Sequence, residues 1–246
     1  MKEATRPFFF IHVMKTGGAT FRQHVRNNFG PGEIYPDPQL DLERDKLRPH
    51  YDIPYLLGLG PTRHARMRAY MGHFPFYVTE LLNTEPITLT LLRDPVERTI
   101  SYLKHCKRFH PDHKELKLEQ IYADSFYRAR FMDNHQTKVF SLRGEDKPDS
   151  IMDVIAVDEE RLRAACDNLE KVDVLGLHTH YGEFLDAIGG RFGWHFDAVP
   201  NLFIGDEPWR VSNDLRRQIA ADNAFDVEFY RYAQELHTRR RAASTT

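Results

Sequence analysis

The feature that most constrains the fold is a short apolar run that leads through two glycines into an amphipathic segment. The run 8–13 is rich in aromatic and β-branched residues, which is typical of a strand buried on both faces. Residues 19–29 contain neither glycine nor proline, and apolar side chains recur at every fourth position, which predicts a helix. A buried strand followed at once by a helix is the beginning of the unit from which parallel sheets are built.

The same alternation of strand and helix patterns continues along the chain. Further strands are predicted at 67–71, 87–92 and 172–177. Helices are predicted at 96–107, 116–123, 159–171, 181–192, 213–221 and 227–237, with Ser212 and Asp226 as N-caps of the last two. We therefore expect an α/β fold in which residues 1–246 form a single domain, with a P-loop-like parallel sheet flanked by helices on both faces.

Residues 30–64 do not fit this alternation, because they carry six prolines among mixed charges. Such a length is unusual for a connection within a compact domain. Two interpretations stay open, a poorly packed surface excursion and a lid or substrate-facing insertion. An interdomain linker is disfavoured because several large apolar side chains there need a surface to pack against, namely Tyr51, Tyr55, Leu56 and Leu57. The tail, residues 238–246, is expected to fray.

Composition and charge exclude several classes of protein. The formal net charge is −2, so no global basic field would recruit nucleic acid. No apolar run approaches the ~18 residues of a membrane span, and the N-terminus does not resemble a signal peptide. The two cysteines, Cys106 and Cys166, give no disulfide framework and are expected to stay reduced. We therefore expect a cytoplasmic protein without stable membrane insertion, whose oligomeric state the sequence does not predict.

The run KTGGAT, residues 15–20, lies between the first strand and the first helix and is the most informative motif. Its glycines allow a tight turn that brings backbone N–H groups against a ligand, and the helix N-terminus favours an anion. Lys15 adds a charge and Thr20 a hydroxyl, so the motif predicts a phosphate or phosphosulfate site. The alternative is an ordinary turn whose glycines only relieve strain. The motif is not a Walker loop, because Lys15 precedes both glycines.

A second cation, Arg93, follows the strand at 87–92, and Ser101 comes about one and a half turns into the next helix. Ligands of open α/β sheets bind at the carboxyl ends of the strands. Arg93 and Ser101 are therefore predicted to hold a second phosphate, with the guanidinium bonding in a bidentate manner. The alternative is a surface ion pair between Arg93 and Asp94 or Glu97, which would contribute little.

Together these segments resemble the sulfotransferase superfamily. FIHVMKTGGATF is similar to the family's 5′-phosphosulfate loop and LLRDPVERTISYLKH to its 3′-phosphate segment, with the same eight-residue step from Arg93 to Ser101. MGHFPF, NHQTKVFS and VLGLHTHYGEFLDAI resemble the branch with carbohydrate sulfotransferases such as the heparan sulfate 2-O type. The chain departs from the family pattern at Met14, where proline is usual, and at Phe21, where serine is usual. Golgi members begin with a membrane anchor that is not found here, so a soluble form of bacterial type is expected.

The resemblance implies transfer of a sulfonate group from 3′-phosphoadenosine 5′-phosphosulfate to a hydroxyl or amine, leaving adenosine 3′,5′-bisphosphate. The acceptor would be a carbohydrate, a lipid or a small molecule, and no metal is expected. Lys15 would neutralise charge on the leaving phosphate and His73, near the end of the strand at 67–71, would be the general base, although a structural role for His73 stays open. The residues expected to bind the donor are Lys15, Thr16, Gly17, Gly18, Ala19, Thr20, Arg93 and Ser101.

Two other functions stay open. One is a P-loop-type kinase that uses ATP and Mg²⁺ on a small molecule, and the other is a scaffold that binds a nucleotide without catalysis. Other histidines compete with His73 for the role of general base, namely His12, which is expected to be buried in the first strand, and His135, beside Gln136 and Thr137. His105, His110 and His113 are expected to form a solvated surface instead of a metal cluster, and His178 and His180 a polar turn.

Overall fold

A computed structural model describes residues 6–37, 39–41, 48–196 and 210–244. Its centre is a five-stranded sheet in which every neighbouring pair is parallel. The strands, in the order β2-β3-β1-β4-β5 across the sheet, are β1 (Phe8–Ile11), β2 (Ile34–Tyr35), β3 (Ala69–Tyr70), β4 (Ile87–Leu92) and β5 (Val174–Leu177). The predicted α/β class, with one parallel sheet, is confirmed.

Helices cover both faces of this sheet, as predicted. They are α1 (Gly18–Asn28), α2 (Arg48–Tyr51), α3 (Ile53–Leu57), α4 (Pro61–Arg66), α5 (Val78–Leu81), α6 (Pro95–Phe109), α7 (Leu118–Tyr122), α8 (Ser125–Tyr127), α9 (His135–Ser141), α10 (Glu159–Glu170), α11 (Tyr181–Phe192), α12 (Asn213–Asp222) and α13 (Ala224–Ser244). A search of the described residues found no helix with the length and hydrophobicity that crossing a bilayer requires.

The alternation of side chains along β1 divides the core into two layers. Phe8 and Phe10 face the cluster that α1 and α11 complete, whereas Phe9 and Ile11 face the cluster that includes side chains of α9, α10 and α13. All four residues of β1 are buried, so the strand has no solvated face. This arrangement explains why the sequence of β1 is continuously apolar.

The predicted helix and strand positions agree with the structure where the pattern is long and periodic. The bounds of β4 and α11 are those predicted, and α1, α6, α10 and α12 differ only by a few residues at an end. The sequence did not predict the positions of the short elements, which are β2, α2, α3, α4, α5, α8 and α9. The tail predicted to fray from residue 238 is instead helical through Ser244, because Arg240 donates to the carbonyl oxygens of Val172 and Glu170.

The described part of the 30–64 region is more ordered than its prolines suggest. It contributes β2 to the edge of the sheet and three short helices, α2, α3 and α4. Leu56 is buried, and Tyr51 and Tyr55 pack against the same core, while Leu57 is exposed. The side chains that argued against a linker are therefore packed, with the exception of Leu57.

One of the two predicted N-caps is correct. The Ser212 hydroxyl accepts a hydrogen bond from the backbone N–H of Leu215 at the start of α12. Asp226 does not cap α13, because that helix begins two residues earlier, at Ala224. Its carboxylate instead accepts hydrogen bonds from the backbone N–H groups of Gln136 and Thr137, at 3.0 and 2.7 Å, and so caps α9 from a distant part of the chain.

Candidate functional site

The candidate site lies where the carboxyl ends of β1, β3, β4 and β5 meet. The chain leaves β1 toward β2 and β3 on one side and later returns to β4 on the other side. This reversal around β1 makes the edge a topological switch point, the place where open α/β sheets bind ligands. The segments after β1 and β4 carry Lys15 and Arg93, and the segment after β3 carries His73. The fold therefore brings all three predicted cationic or basic groups to one edge.

Both glycines of the segment between β1 and α1, which we call the Lys15 loop (residues 12–18), are required by its geometry. Gly17 has a φ of 106°, which lies in the left-handed region that side chains disfavour. A Cβ on Gly18 would lie 2.0 Å from Nε2 of His12, so no side chain fits there while the imidazole stays in place. The loop therefore passes directly over the buried ring of His12.

Lys15 also has a positive φ, 69°, and its side chain is half-buried. Burial, and to a smaller extent the neighbouring charge of Arg93, lower the pKa of its ammonium to about 8. Thr16 is fully buried and its hydroxyl donates to the carbonyl oxygen of Val13 at 2.9 Å. The Thr16 hydroxyl thus stabilises the turn, and the expected contact of Thr16 with a ligand stays a prediction.

The first backbone N–H groups of α1 have no acceptor within the helix and can donate to a ligand. Gly17 is the N-cap residue and no side chain of the described chain caps the helix. The first intrahelical bond runs from the N–H of Phe21 to the carbonyl oxygen of Gly17, which leaves the N–H groups of Gly18, Ala19 and Thr20 without an intrahelical acceptor. Ala19 is exposed and Thr20 half-buried, so the opening faces outward.

Arg93 reaches across to the Lys15 loop. Its Nη1 donates to the carbonyl oxygen of Lys15 at 3.3 Å, and burial lowers the pKa of the guanidinium. The two carboxylates that could have paired with Arg93 have other partners, since Asp94 caps α6 and Glu97 pairs with Arg216. The surface ion pair considered as an alternative is therefore not formed in the described structure.

Ser101 lies half-buried on the second turn of α6. His105, one turn further along the helix and on the same face, lies close enough to Lys15 for that charge to lower its pKa. Burial is the largest cause, and together with the charges of Lys15, His110 and Arg108 it lowers the pKa of His105 to about 4. The face of α6 that carries Ser101 is therefore turned toward the loop.

His73 is held by its backbone and by its ring. Its Nδ1 lies 2.9 Å from the carbonyl oxygen of His12, and because a carbonyl can only accept, Nδ1 carries the proton. In the neutral ring Nε2 is then the free acceptor. The imidazole stacks between the rings of His12 and Tyr51, with centroid separations of 3.9 and 5.1 Å. This geometry orients a neutral histidine that can accept a proton at Nε2.

The surroundings of His73 are cationic. Burial is the main reason that its pKa falls to about 3, and Arg22, His50 and Lys15 lower it further. Arg22, on α1, donates to the carbonyl oxygen of Met71, and the backbone N–H of His73 donates to the carbonyl oxygen of His50 at 2.7 Å. The 30–64 region thus contributes His50 and Tyr51 to the immediate surroundings of His73.

The sequence did not identify several of these neighbours. His178 follows β5 and was expected to lie in a polar turn; residues 178–180 do form such a turn. However, a Cβ at Gly17 would lie 3.4 Å from the His178 ring and 3.9 Å from that of Tyr181, so β5 also contributes to the loop's surroundings. No motif marks this contact, because β5 follows β1 by more than 160 residues.

The expectation of a solvated surface at His105, His110 and His113 is wrong for His113, which is buried, and only partly right for His105 and His110, which are half-buried. His113 is buried against Tyr127, with ring centroids 4.7 Å apart, and His105 is half-buried beside Phe109. A neutral imidazole costs less to desolvate than a charged one, so such a ring can be buried against aromatic side chains. Among the described residues no group of three or more histidine, cysteine or carboxylate side chains has a metal-binding arrangement.

A cavity of about 320 Å³ lies at the opposite edge of the sheet, beside Phe8 at the start of β1 and Trp194 after α11. It does not belong to the site formed by Lys15, Arg93 and His73. The chain matches no family model, and a search among curated proteins found no match. Function must therefore be inferred from the residues of this chain.

Anion binding at the Lys15 loop should weaken as the pH rises above about 8. The pKa of Lys15 is lowered to about 8, so the ammonium of the free protein loses its proton in this range, and only the protonated form attracts an anion strongly. The dissociation constant of adenosine 3′,5′-bisphosphate, measured by calorimetry from pH 6.5 to 9.5, should therefore rise by up to about tenfold per pH unit above 8. Lys15→Arg should flatten this profile, and a flat profile for the unmodified protein would refute the role of Lys15.

Proposed function

We propose that this chain is a sulfotransferase that transfers a sulfonate group from 3′-phosphoadenosine 5′-phosphosulfate to a hydroxyl or amine. The observation that carries the proposal is the 3.3 Å contact between the Arg93 guanidinium and the carbonyl oxygen of Lys15. The guanidinium thereby lies against the backbone of the residue that carries the second cation, and the uncapped N-terminus of α1 follows in the same loop. A nucleotide with phosphates at both its 3′ and 5′ positions needs two such cationic sites within reach of each other.

The residues of the loop fit the 5′ end of this donor. The N–H groups of Gly18, Ala19 and Thr20 lack intrahelical acceptors, which suits an anion at the N-terminus of α1. Lys15 supplies a full positive charge at the same place. Arg93 and the face of α6 that carries Ser101 would hold the 3′-phosphate, and Gly17 would remain a turn residue beside the phosphosulfate.

The donor, when bound, supplies an activated sulfonate whose transfer leaves negative charge on the 5′-phosphate. Lys15 and the α1 amides stabilise that charge because they are already oriented in a partly buried site. His73 accepts the proton of the acceptor group at Nε2, since its Nδ1 is committed to the carbonyl oxygen of His12. The anionic donor would also raise the basicity of His73, because it offsets the positive charges of Lys15 and Arg22 that lower its pKa.

The finer fold assignment is part of the same proposal. A strand that leads through a glycine turn into an uncapped helix at the centre of a parallel sheet is the arrangement of a P-loop-like nucleotide site. The acceptor would approach from the side of His73 that is lined by α1 and by the 30–64 region. We infer a carbohydrate, lipid or small-molecule acceptor and a cytoplasmic location.

The first test is a binding titration. Adenosine 3′,5′-bisphosphate should bind tightly with or without Mg²⁺, and ATP should bind more weakly, because ATP has no 3′-phosphate for Arg93. Arg93→Ala should remove this preference. Binding of ATP only in the presence of Mg²⁺ would favour the kinase instead.

The second test is turnover. The protein is incubated with donor carrying a labelled sulfonate group and with panels of glycans, glycolipids and phenols, and the label is traced into product. Transfer to any of these acceptors would support the enzyme. Tight binding of the bisphosphate without transfer to any acceptor would favour the catalytically inactive scaffold.

A further inference from the structure

The side-chain amide of Gln136 forms hydrogen bonds with both the backbone N–H and the backbone carbonyl of Arg93. Its Oε1 accepts the N–H of Arg93 at 3.1 Å and its Nε2 donates to the Arg93 carbonyl oxygen at 2.8 Å. Gln136 is fully buried, and it lies 43 residues further along the chain, on α9. The amide therefore forms the pair of hydrogen bonds that a neighbouring strand would otherwise provide.

Arg93 needs such a partner because the sheet does not reach it. β4 ends at Leu92, which pairs with Leu177 of β5, and the pairing of β4 with β1 ends earlier, at Thr90. A backbone without ladder bonds is free to change its φ and ψ angles, and the direction of the arginine side chain changes with them. The two hydrogen bonds from Gln136 fix the backbone of Arg93, one residue beyond the end of β4. They thereby direct the guanidinium toward the Lys15 loop.

Gln136 is itself held in place from another part of the fold. Its backbone N–H donates to the buried carboxylate of Asp226, which also accepts from the backbone N–H and the hydroxyl of Thr137. The first turn of α9 is thus fixed to the start of α13. Gln136 therefore has little freedom to move away from Arg93.

We propose that Gln136 is a positioning residue that sets the preference of this site for a nucleotide with a 3′-phosphate. The inference rests on the proposed function, because it assigns the 3′-phosphate to Arg93. Gln136 does not reach the ligand in this scheme. It acts through the backbone of Arg93.

The test compares two ligands that differ only at the 3′ position, adenosine 3′,5′-bisphosphate and adenosine 5′-monophosphate. Gln136→Met keeps the length of the side chain and removes both hydrogen bonds. Affinity for the bisphosphate should fall about tenfold, because a misdirected Arg93 loses a hydrogen bond to the charged 3′-phosphate, while affinity for the monophosphate should stay within about twofold. In an Arg93→Ala background the same substitution should cause no further loss.

The matched control is Asn168→Ala. Asn168, on α10, donates from its side-chain amide to the carbonyl oxygen of Phe140 at the other end of α9, and so supports the same helix without touching Arg93. It should leave the ratio of the two affinities unchanged. If Gln136→Met does not fold, Gln136→Glu is used, which keeps the acceptor for the Arg93 N–H and places an oxygen against its carbonyl. Gln136→Glu should lower the ratio of bisphosphate affinity to monophosphate affinity, as Gln136→Met does.

The outcomes separate the two proposals. An unmodified protein that binds both nucleotides equally refutes the assignment of the 3′-phosphate to Arg93 and with it the proposed function. An unmodified protein that prefers the bisphosphate, together with a Gln136→Met variant that keeps the same preference, overturns the role of Gln136 alone. An equal loss for both nucleotides would show that Gln136 is merely structural.

Discussion

Replacing Lys15 with alanine is expected to slow sulfonate transfer by roughly 10²–10³-fold, the usual cost of one group that stabilises developing charge. Lys15 lies beside Arg93 in a partly buried loop, where a charge is screened less than at the surface. Because the charge on the leaving phosphate grows during the reaction, the loss should be larger in kcat than in donor affinity. Single-turnover rates with labelled donor measure the effect.

Lys171→Ala is the matched control, since it removes a lysine charge from an exposed position at the end of α10. Its transfer rate should equal that of the unmodified protein. Thermal melting of both variants shows whether the fold is kept. A folded Lys15→Ala variant that transfers sulfonate within about twofold of the normal rate would remove Lys15 from the mechanism.

Replacing His73 with glutamine should lower the transfer rate by roughly 10²–10⁴-fold, the contribution typical of a general base. Glutamine cannot take a proton from the acceptor. Affinity for adenosine 3′,5′-bisphosphate should not change, because His73 is assigned to the acceptor side. A calorimetric titration and a rate measurement on the same preparation separate these two effects.

His180→Gln is the control for this substitution, because His180 is exposed and stacks only on His237 among the described rings. Since the pKa of His73 in the free protein is lowered to about 3, the base is unprotonated from pH 5 to 8 before the donor binds. At donor concentrations well below saturation, the transfer rate of the unmodified protein should therefore not fall through protonation of His73 as the pH is lowered from 8 to 5. Unchanged turnover of a folded His73→Gln variant would place the base elsewhere.

The strands and long helices could be predicted because their signals are local. β1 reads as a continuous apolar run since both of its faces are buried, and the stripe of apolar residues on α1 follows from the period of the helix. The short helices of the 30–64 region carry too few residues for such a period. Their positions depend on packing against the core, as the buried Leu56 illustrates.

The prediction for Asp226 failed for a related reason. The residue type is correct for a cap, but local pattern does not say which helix an aspartate will serve. Asp226 caps α9, whose residue Gln136 lies 90 positions earlier in the chain. Only the folded chain brings the two together.

The sequence alone predicted the order of the longer strands and helices and the place of the Lys15 loop between β1 and α1, because a lysine, two glycines and a helix start are adjacent along the chain. The tertiary structure decided that Arg93 contacts this loop, that Gln136 holds Arg93, and that His73 lies stacked between His12 and Tyr51. The Gln136–Arg93 hydrogen bond joins residues 43 positions apart, and the Arg93–Lys15 hydrogen bond joins residues 78 positions apart. Periodicity and propensity act over a few residues, whereas such contacts depend on the register of strands and the packing of helices that form only when the whole sheet is assembled.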